Sequence, residues 1–118
     1  MPKLTPEQVT EFLDEPAHLA RIATVRPDGA PSVAPMWFLF RDGRLWFTPR
    51  EKSSWWHNIR HEPRVAMTID EDSAPYRKVF VDGTVRVDFG PGQDDEWRAT
   101  YRDIAIRYTP DAFADAYI

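Results

Sequence analysis

Residues 32–40 carry apolar side chains on both faces of what reads as one extended strand. Val33, Trp37 and Leu39 fall on one side, and Ala34, Met36, Phe38 and Phe40 on the other. A strand apolar on both faces has to be covered twice, so it belongs inside a sheet that curls around it. Turn chemistry brackets it, with Arg26-Pro27-Asp28-Gly29 before and Arg41-Asp42-Gly43-Arg44 after. Asp-Gly steps adopt the positive backbone angles that tight antiparallel reversals need. Ahead of the first turn, residues 18–26 alternate Ala20, Ile22 and Thr24 against Leu19, Ala23 and Val25, the two-residue period of a strand. Beyond the second turn, Leu45-Trp46-Phe47-Thr48 forms a third strand.

The remaining punctuation extends this pattern. Thr5-Pro6-Glu7-Gln8 opens a helix with a capping box and a proline at its first position, ahead of Val9, Phe12 and Leu13, and the helix should end near Asp14. Ser54 is placed to cap a short helix through Trp55, Trp56, Asn58 and Ile59 to about His61, which Pro63 ends. A fourth strand over residues 64–70 alternates Val65, Met67 and Ile69, and a fifth runs over residues 76–89. Its Gly83 is expected at a bulge or bend that lets the sheet close. From Asp94 onward Trp97, Tyr101, Ile104, Ala105 and Tyr108 recur at helical spacing, and Thr109-Pro110 restarts a last short helix. The expected architecture is mainly β with peripheral helices, an antiparallel barrel formed as one domain over residues 1–118. The first helix and the strands occupy residues 5–89, and the helical C-terminal segment residues 94–118.

Composition excludes several classes of function. A chain of 118 residues fills one core. With no cysteine, disulfides, thiolate nucleophiles and Cys-based metal sites are absent. No run approaches the ~18 apolar residues of a membrane span, and residues 1–10 lack the basic start and apolar stretch of a secretory signal. The expectation is a cytoplasmic protein without a membrane partner. A net charge of -4 argues against nucleic acid, whose binding rests on neutralising many phosphates. The charge is uneven: residues 1–40 sum to -2, residues 41–69 to +3 and residues 70–118 to -5. A basic middle on an acidic chain suits a small anionic ligand, or simply a solvated charged face.

Few residues offer side-chain catalysis. His57 and His61 are one helical turn apart, yet no third ligand is placed to complete a usual metal site, so none is expected. His18 reads as surface or structural. No Gly-rich phosphate loop is present, and Ser53-Ser54 lacks the context of a nucleophile elbow. The run Arg50-Glu51-Lys52-Ser53-Ser54 gathers cations, hydroxyls and backbone N–H groups at a helix start, a combination that receives phosphate or carboxylate. An ordinary helix cap is the alternative. Trp37, Trp46, Trp55 and Trp56 lie in the same third of the chain, and Tyr76 adjoins Arg77 and Lys78. Ligand stacking and core packing both account for such rings.

The stretches His18-Leu19-Ala20-Arg21-Ile22-Ala23-Thr24-Val25, Asp28-Gly29-Ala30-Pro31 and Pro35-Met36-Trp37-Phe38 resemble the first hairpin of the pyridoxamine 5'-phosphate oxidase-like split barrels. Asn58-Ile59-Arg60, Glu62-Pro63-Arg64-Val65 and Gly83-Thr84-Val85 are similar to that family's helix-to-strand step and late strand. The segment from Tyr101 to Tyr117 looks like the helical part of its flavin/deazaflavin oxidoreductase branch. The resemblance implies a homodimer holding FMN or coenzyme F-420 at the subunit interface, or haem in a few relatives. It further implies hydride transfer to a small conjugated substrate, with no catalytic side chain assigned. Phosphate contacts would come from Arg50, Lys52, Ser53 and Ser54, with Asn58 in support. Trp37 would lie near the ring system, with Arg77 and Lys78 contributing from the later strand. Trp55 stands where the family often has a lysine, which leaves open a non-catalytic module that sequesters flavin or haem, and also a barrel without ligand.

Overall fold

The computed structural model describes residues 3–48, 53–87 and 94–109. Helix α1 (Pro6–Asp14) starts as its capping box dictates. The Gln8 amide donates to Thr5 Oγ1 at 3.2 Å, and the Thr5 amide donates to Gln8 Oε1 at 2.8 Å. Two of the N–H groups that every helix start leaves without an intrahelical partner are thereby satisfied. The helix buries Phe12 and Leu13 completely or nearly so.

Strands β1 (Ala20–Val25), β2 (Pro31–Met36), β5 (Arg64–Asp70) and β6 (Lys78–Thr84) form one antiparallel sheet in the order β2-β1-β5-β6. Strands β3 (Leu39–Arg41) and β4 (Arg44–Trp46) form a separate hairpin. The register fixes which side of the larger sheet is inside. Ala20 lies opposite Met36 and Ile69, and Ile22 opposite Ala34 and Met67. These side chains join Phe12, Leu13 and Phe38 in one core, with Val79 and Val81 packed against it.

The other side of the sheet is open. Val33 and Phe80 are about 70% exposed, and between them in the ladder lie Ala23, Arg21, Ala66 and Thr68. Arg21 pairs with Asp70 on this side. A shallow hollow of about 280 Å³ indents it over Ala23, Val25, Pro31 and Ala66.

Both reversals form as their sequences require. In the β1–β2 turn the Gly29 amide donates to the Arg26 carbonyl at 2.8 Å, and Gly29 takes φ +88°. The β3–β4 turn places Asp42 at φ 56° and Gly43 at φ 70°, the two-residue hairpin loop in which both central residues have positive φ.

Helix α2 (Ser54–His61) lies against β1 and β2. Helix α3 (Asp94–Ala105) buries Thr100, Ile104 and Ala105. No described helix is long and apolar enough to cross a membrane.

Four expectations need correction. The two-faced strand over residues 32–40 is broken at Trp37 and Phe38. Its first part, β2, is an outer strand of the sheet, with Val33 in solvent rather than interior. The fifth strand is shorter than residues 76–89. It runs in unbroken register from Lys78 opposite Asp70 to Thr84 opposite Arg64, and Gly83 sits opposite Val65 without a bulge. Closure therefore does not come from a kink there: the described strands form two sheets, not one continuous cylinder. Finally, Ser53 rather than Ser54 occupies the cap position of α2. The expected last helix from Thr109-Pro110 lies outside the described residues beyond position 109.

Candidate functional site

Three groups of side chains stand out: one where the chain leaves β2 and α3 ends, one where α2 begins, and one between the end of α1 and the loop from β5 to β6. The first surrounds the strand break. With the ladder interrupted, the Phe38 amide donates to the Tyr108 hydroxyl at 3.0 Å, and that hydroxyl donates to the His18 carbonyl at 2.6 Å. Burial pushes the Tyr108 phenol pKa up, partly opposed by its contacts with Phe38 and Arg107, so the proton it donates stays in place at neutral pH. The Tyr108 ring stacks on Trp37 with centroids 5.0 Å apart and planes within 4°. Arg107 completes the junction. Its guanidinium donates to the carbonyls of Leu13 at 2.9 Å and Glu15 at 3.1 Å and lies 5.2 Å from the centre of the Phe38 ring. It thus serves the carbonyls that the end of α1 leaves unpaired.

The second group is the start of α2. Ser53 takes an extended backbone conformation, its side chain does not cap the helix, and no acidic residue sits in the first turn. The positive end of the helix dipole is therefore not offset by its own cap. Arg50 and Lys52, expected beside this point, lie outside the described residues. Ser54 is exposed at the first helical position. Trp55 faces inward, packing against the core and against Phe47 at 5.5 Å between ring centres. Asn58 is 5% exposed and donates through Nδ2 to Thr24 Oγ1 at 3.0 Å, tying α2 to β1.

The third group holds Arg77. Its guanidinium donates to Glu71 through Nε at 2.7 Å and to Glu15 through Nη1 at 2.8 Å, and it lies 4.9 Å from the centre of the Phe12 ring. Glu15 also meets His18 at 3.0 Å. The Arg77 hydrogen bonds hold Glu71 down to about 2 and lower Glu15 from the ordinary carboxylate value. Glu15, His18 and Glu71 offer ligand atoms within 4.8 Å of one another. The guanidinium hydrogen-bonds both carboxylates and offsets one of their two negative charges, so this cluster carries its own cation. Lys78 is exposed at the start of β6, opposite Asp70. His57 and His61 are both exposed on α2.

The expected site residues are therefore distributed. Ser53 and Ser54 lie together at the start of α2. Trp37 stands at the strand break, while Trp55 and Asn58 are built into packing behind α2. Arg77, on the loop between β5 and β6, is committed to Glu71 of that loop and to Glu15 at the end of α1. Sequence reasoning missed the hydroxyl of Tyr108 and the carbonyl cap by Arg107. Both act on residues about 70 to 94 positions away, which no local spacing signals.

The four-stranded sheet, the separate hairpin and the helix inserted after it define a protein of the split-barrel class. A family model for pyridoxamine 5'-phosphate oxidase matches residues 5–115, and the chain belongs to that family. Among solved structures it is similar to an F420 reductase at 36% identity, covering 92% of this chain and 79% of the other, with a TM-score of 0.71. It shares the fold of the haem storage protein HutZ from Vibrio cholerae, at 19% identity over 98% and 81% of the two chains and a TM-score of 0.69. A haem-binding protein from Mycobacterium smegmatis also has this fold, at 18% identity and a TM-score of 0.68. There the match covers 90% of this chain and 46% of the other. Comparison with curated proteins found no match.

Proposed function

We propose that this chain is a homodimeric oxidoreductase that holds FMN or coenzyme F-420 and passes hydride to a small conjugated substrate. The observation that carries the reading is the 36% identity to an F420 reductase across 92% of the chain. Either group, once bound, supplies the hydride chemistry itself, and the protein's part is to bind, orient and exclude competing reactions. The residues present fit such a group. At the α2 start the Trp56 amide donates to the Ser53 carbonyl at 3.2 Å, and the Ser54 and Trp55 amides ahead of it, without a side-chain cap from Ser53 and with the exposed Ser54 hydroxyl beside them, are a donor set suited to a phosphate. Arg50 and Lys52 precede it and add charge. Trp37 presents a fixed aromatic plane at the strand break, suited to a planar ring system. Asn58 and Trp55 support the helix from behind, and Arg77, already paired, takes no part in holding the anion. Lys78 adds a cation at the outer end of β6.

The homodimer rests on the open side of the sheet, where Val33 and Phe80 stand about 70% exposed around Ala23 and Ala66. A patch of this kind on a small chain favours association. Edge-on pairing at β2 is blunted, because Pro31 and Pro35 lack the N–H groups that a further strand would need. Face-to-face packing of two sheets is therefore the mode this side supports.

The test is titration with FMN and with coenzyme F-420 of the parent, Arg50→Ala, Lys52→Ala and Arg86→Ala. Charge-assisted contacts contribute about 1.5–3 kcal/mol, so loss of Lys52 should weaken binding by roughly one to two decades. Arg86, exposed after β6, should change affinity little. Parent-like binding by both Arg50→Ala and Lys52→Ala would exclude this phosphate site. A non-catalytic flavin- or haem-binding module is the reading to adopt if a ring binds tightly without turnover.

A further inference from the structure

We propose that Tyr108 is a positioning residue for the ring-binding site, fixing the plane of Trp37 through a stack and a two-sided hydroxyl clamp. The proposal rests on the placement of Trp37 beside the bound ring, and adds the residue that makes that placement definite. Trp37 lies between β2 (Pro31–Met36) and β3 (Leu39–Arg41), where no ladder holds the backbone. Such a segment lacks the ladder hydrogen bonds of a strand interior, so the plane of an indole on it is set by tertiary contacts.

Tyr108 supplies two such contacts. Its ring covers one face of the indole at 5.0 Å with planes 4° apart. Its hydroxyl takes the amide of Phe38, the residue after Trp37, at 3.0 Å and donates to the His18 carbonyl at 2.6 Å. The break in the strand is thereby tied to the entry of β1, and the side chain at the break is held parallel to the tyrosine. Tyr108 itself is fixed by the turn that follows α3. Its amide donates to the Ala105 carbonyl at 3.0 Å, while the neighbouring Arg107 grips the end of α1. A planar ligand meeting a pre-oriented indole loses less freedom on binding than one that must order it.

The experiment compares Tyr108→Phe, Tyr108→Leu, Trp37→Ala and Ile104→Ala with the parent, at a temperature where all are folded by far-UV circular dichroism. Ile104 is 1% exposed on α3, so Ile104→Ala loosens the same helix while leaving the tyrosine in the chain. Two readouts are taken: the near-UV dichroism assigned to Trp37 by its loss in Trp37→Ala, and the affinities for FMN and coenzyme F-420. Tyr108→Phe should weaken binding about threefold to tenfold and diminish the Trp37 signal, and Tyr108→Leu should abolish that signal and weaken binding further. Ile104→Ala should lower thermal stability and leave both readouts at parental values. Parental affinity in both Tyr108 variants, with weak binding in Trp37→Ala, overturns the positioning role and leaves the ring site standing. Parental affinity in Trp37→Ala overturns the ring placement and this proposal with it. Equal losses in Ile104→Ala and Tyr108→Phe would make the effect one of stability alone, which also overturns it.

Discussion

The hydrogen bond from Asn58 to Thr24 gives the sharpest separation between a supporting and a ligand-binding role for a residue in the α2 segment. Both side chains are nearly out of contact with solvent, at 5% and 2% exposure, and their polar atoms are 3.0 Å apart. Thr24→Val keeps the shape and removes the acceptor, leaving the Asn58 amide without this partner in a buried place. An orphaned buried donor costs about 1–3 kcal/mol. Near the midpoint, about 1 kcal/mol shifts the melting temperature of a chain this size by roughly 4 °C, so Thr24→Val should melt about 4–12 °C lower. Asn58→Ala should cost at least as much, because packing volume is lost as well. The double variant should be less unstable than the sum of the two by about 0.5–1.5 kcal/mol, the energy of the shared bond. Urea unfolding followed by tryptophan fluorescence at fixed protein concentration measures all four corners of the cycle. Strict additivity would refute the coupling. An Asn58→Ala chain with parental stability and lost ligand affinity would make Asn58 a direct ligand contact instead.

The Arg77 cluster predicts acid sensitivity of a definite sign. Glu71 is held at about 2 against an ordinary value of 4.5. Its contribution to stability is therefore whole above about pH 4.5 and is lost as pH falls toward 2. Glu71→Gln should flatten the pH dependence of urea midpoints in that window, and an unchanged slope would contradict the ion pair. Gly29→Ala should cost about 1 kcal/mol because φ +88° strains any side chain although nothing lies within 4 Å. Gly83→Ala, in a regular strand with open space around it, should be neutral or slightly stabilising, and a large loss would restore the bend. The proposed dimer should sediment as such in the parent at micromolar concentration and dissociate in Phe80→Asp. A monomeric parent, or an unaffected dimer, would remove the open sheet face as the interface.

Local signals carried much of this architecture. The capping box at Thr5 and Gln8, the Asp-Gly reversals and the alternation around Ile22 and Met67 each act within a few residues, and each appears where those residues require. What escaped depended on distant partners. Apolar residues on both sides of 32–40 suggested one interior strand. The chain instead breaks at Trp37 and Phe38, where Tyr108 supplies the amide of Phe38 with a partner from 70 positions away. Val33 is then left on an open face that suits a second copy. Gly83 was read by residue type alone, while its neighbours' register keeps the strand straight. Arg77 and Lys78 were expected to contribute to the ligand from the later strand, and only the fold brings Glu15 and Glu71 to Arg77. Trp55 was legible as an aromatic in the right segment, and only the packing against Phe47 shows that its ring belongs to the core side.

Titration of the purified protein with FMN, coenzyme F-420 and haemin in separate experiments decides whether the chain binds the redox-active flavin or deazaflavin proposed for it. Absorbance and fluorescence should report saturable binding of FMN or coenzyme F-420 in proportion to the chain, by a ring that can be reduced and reoxidised while bound. Binding of haemin alone, or of none of the three, would contradict it.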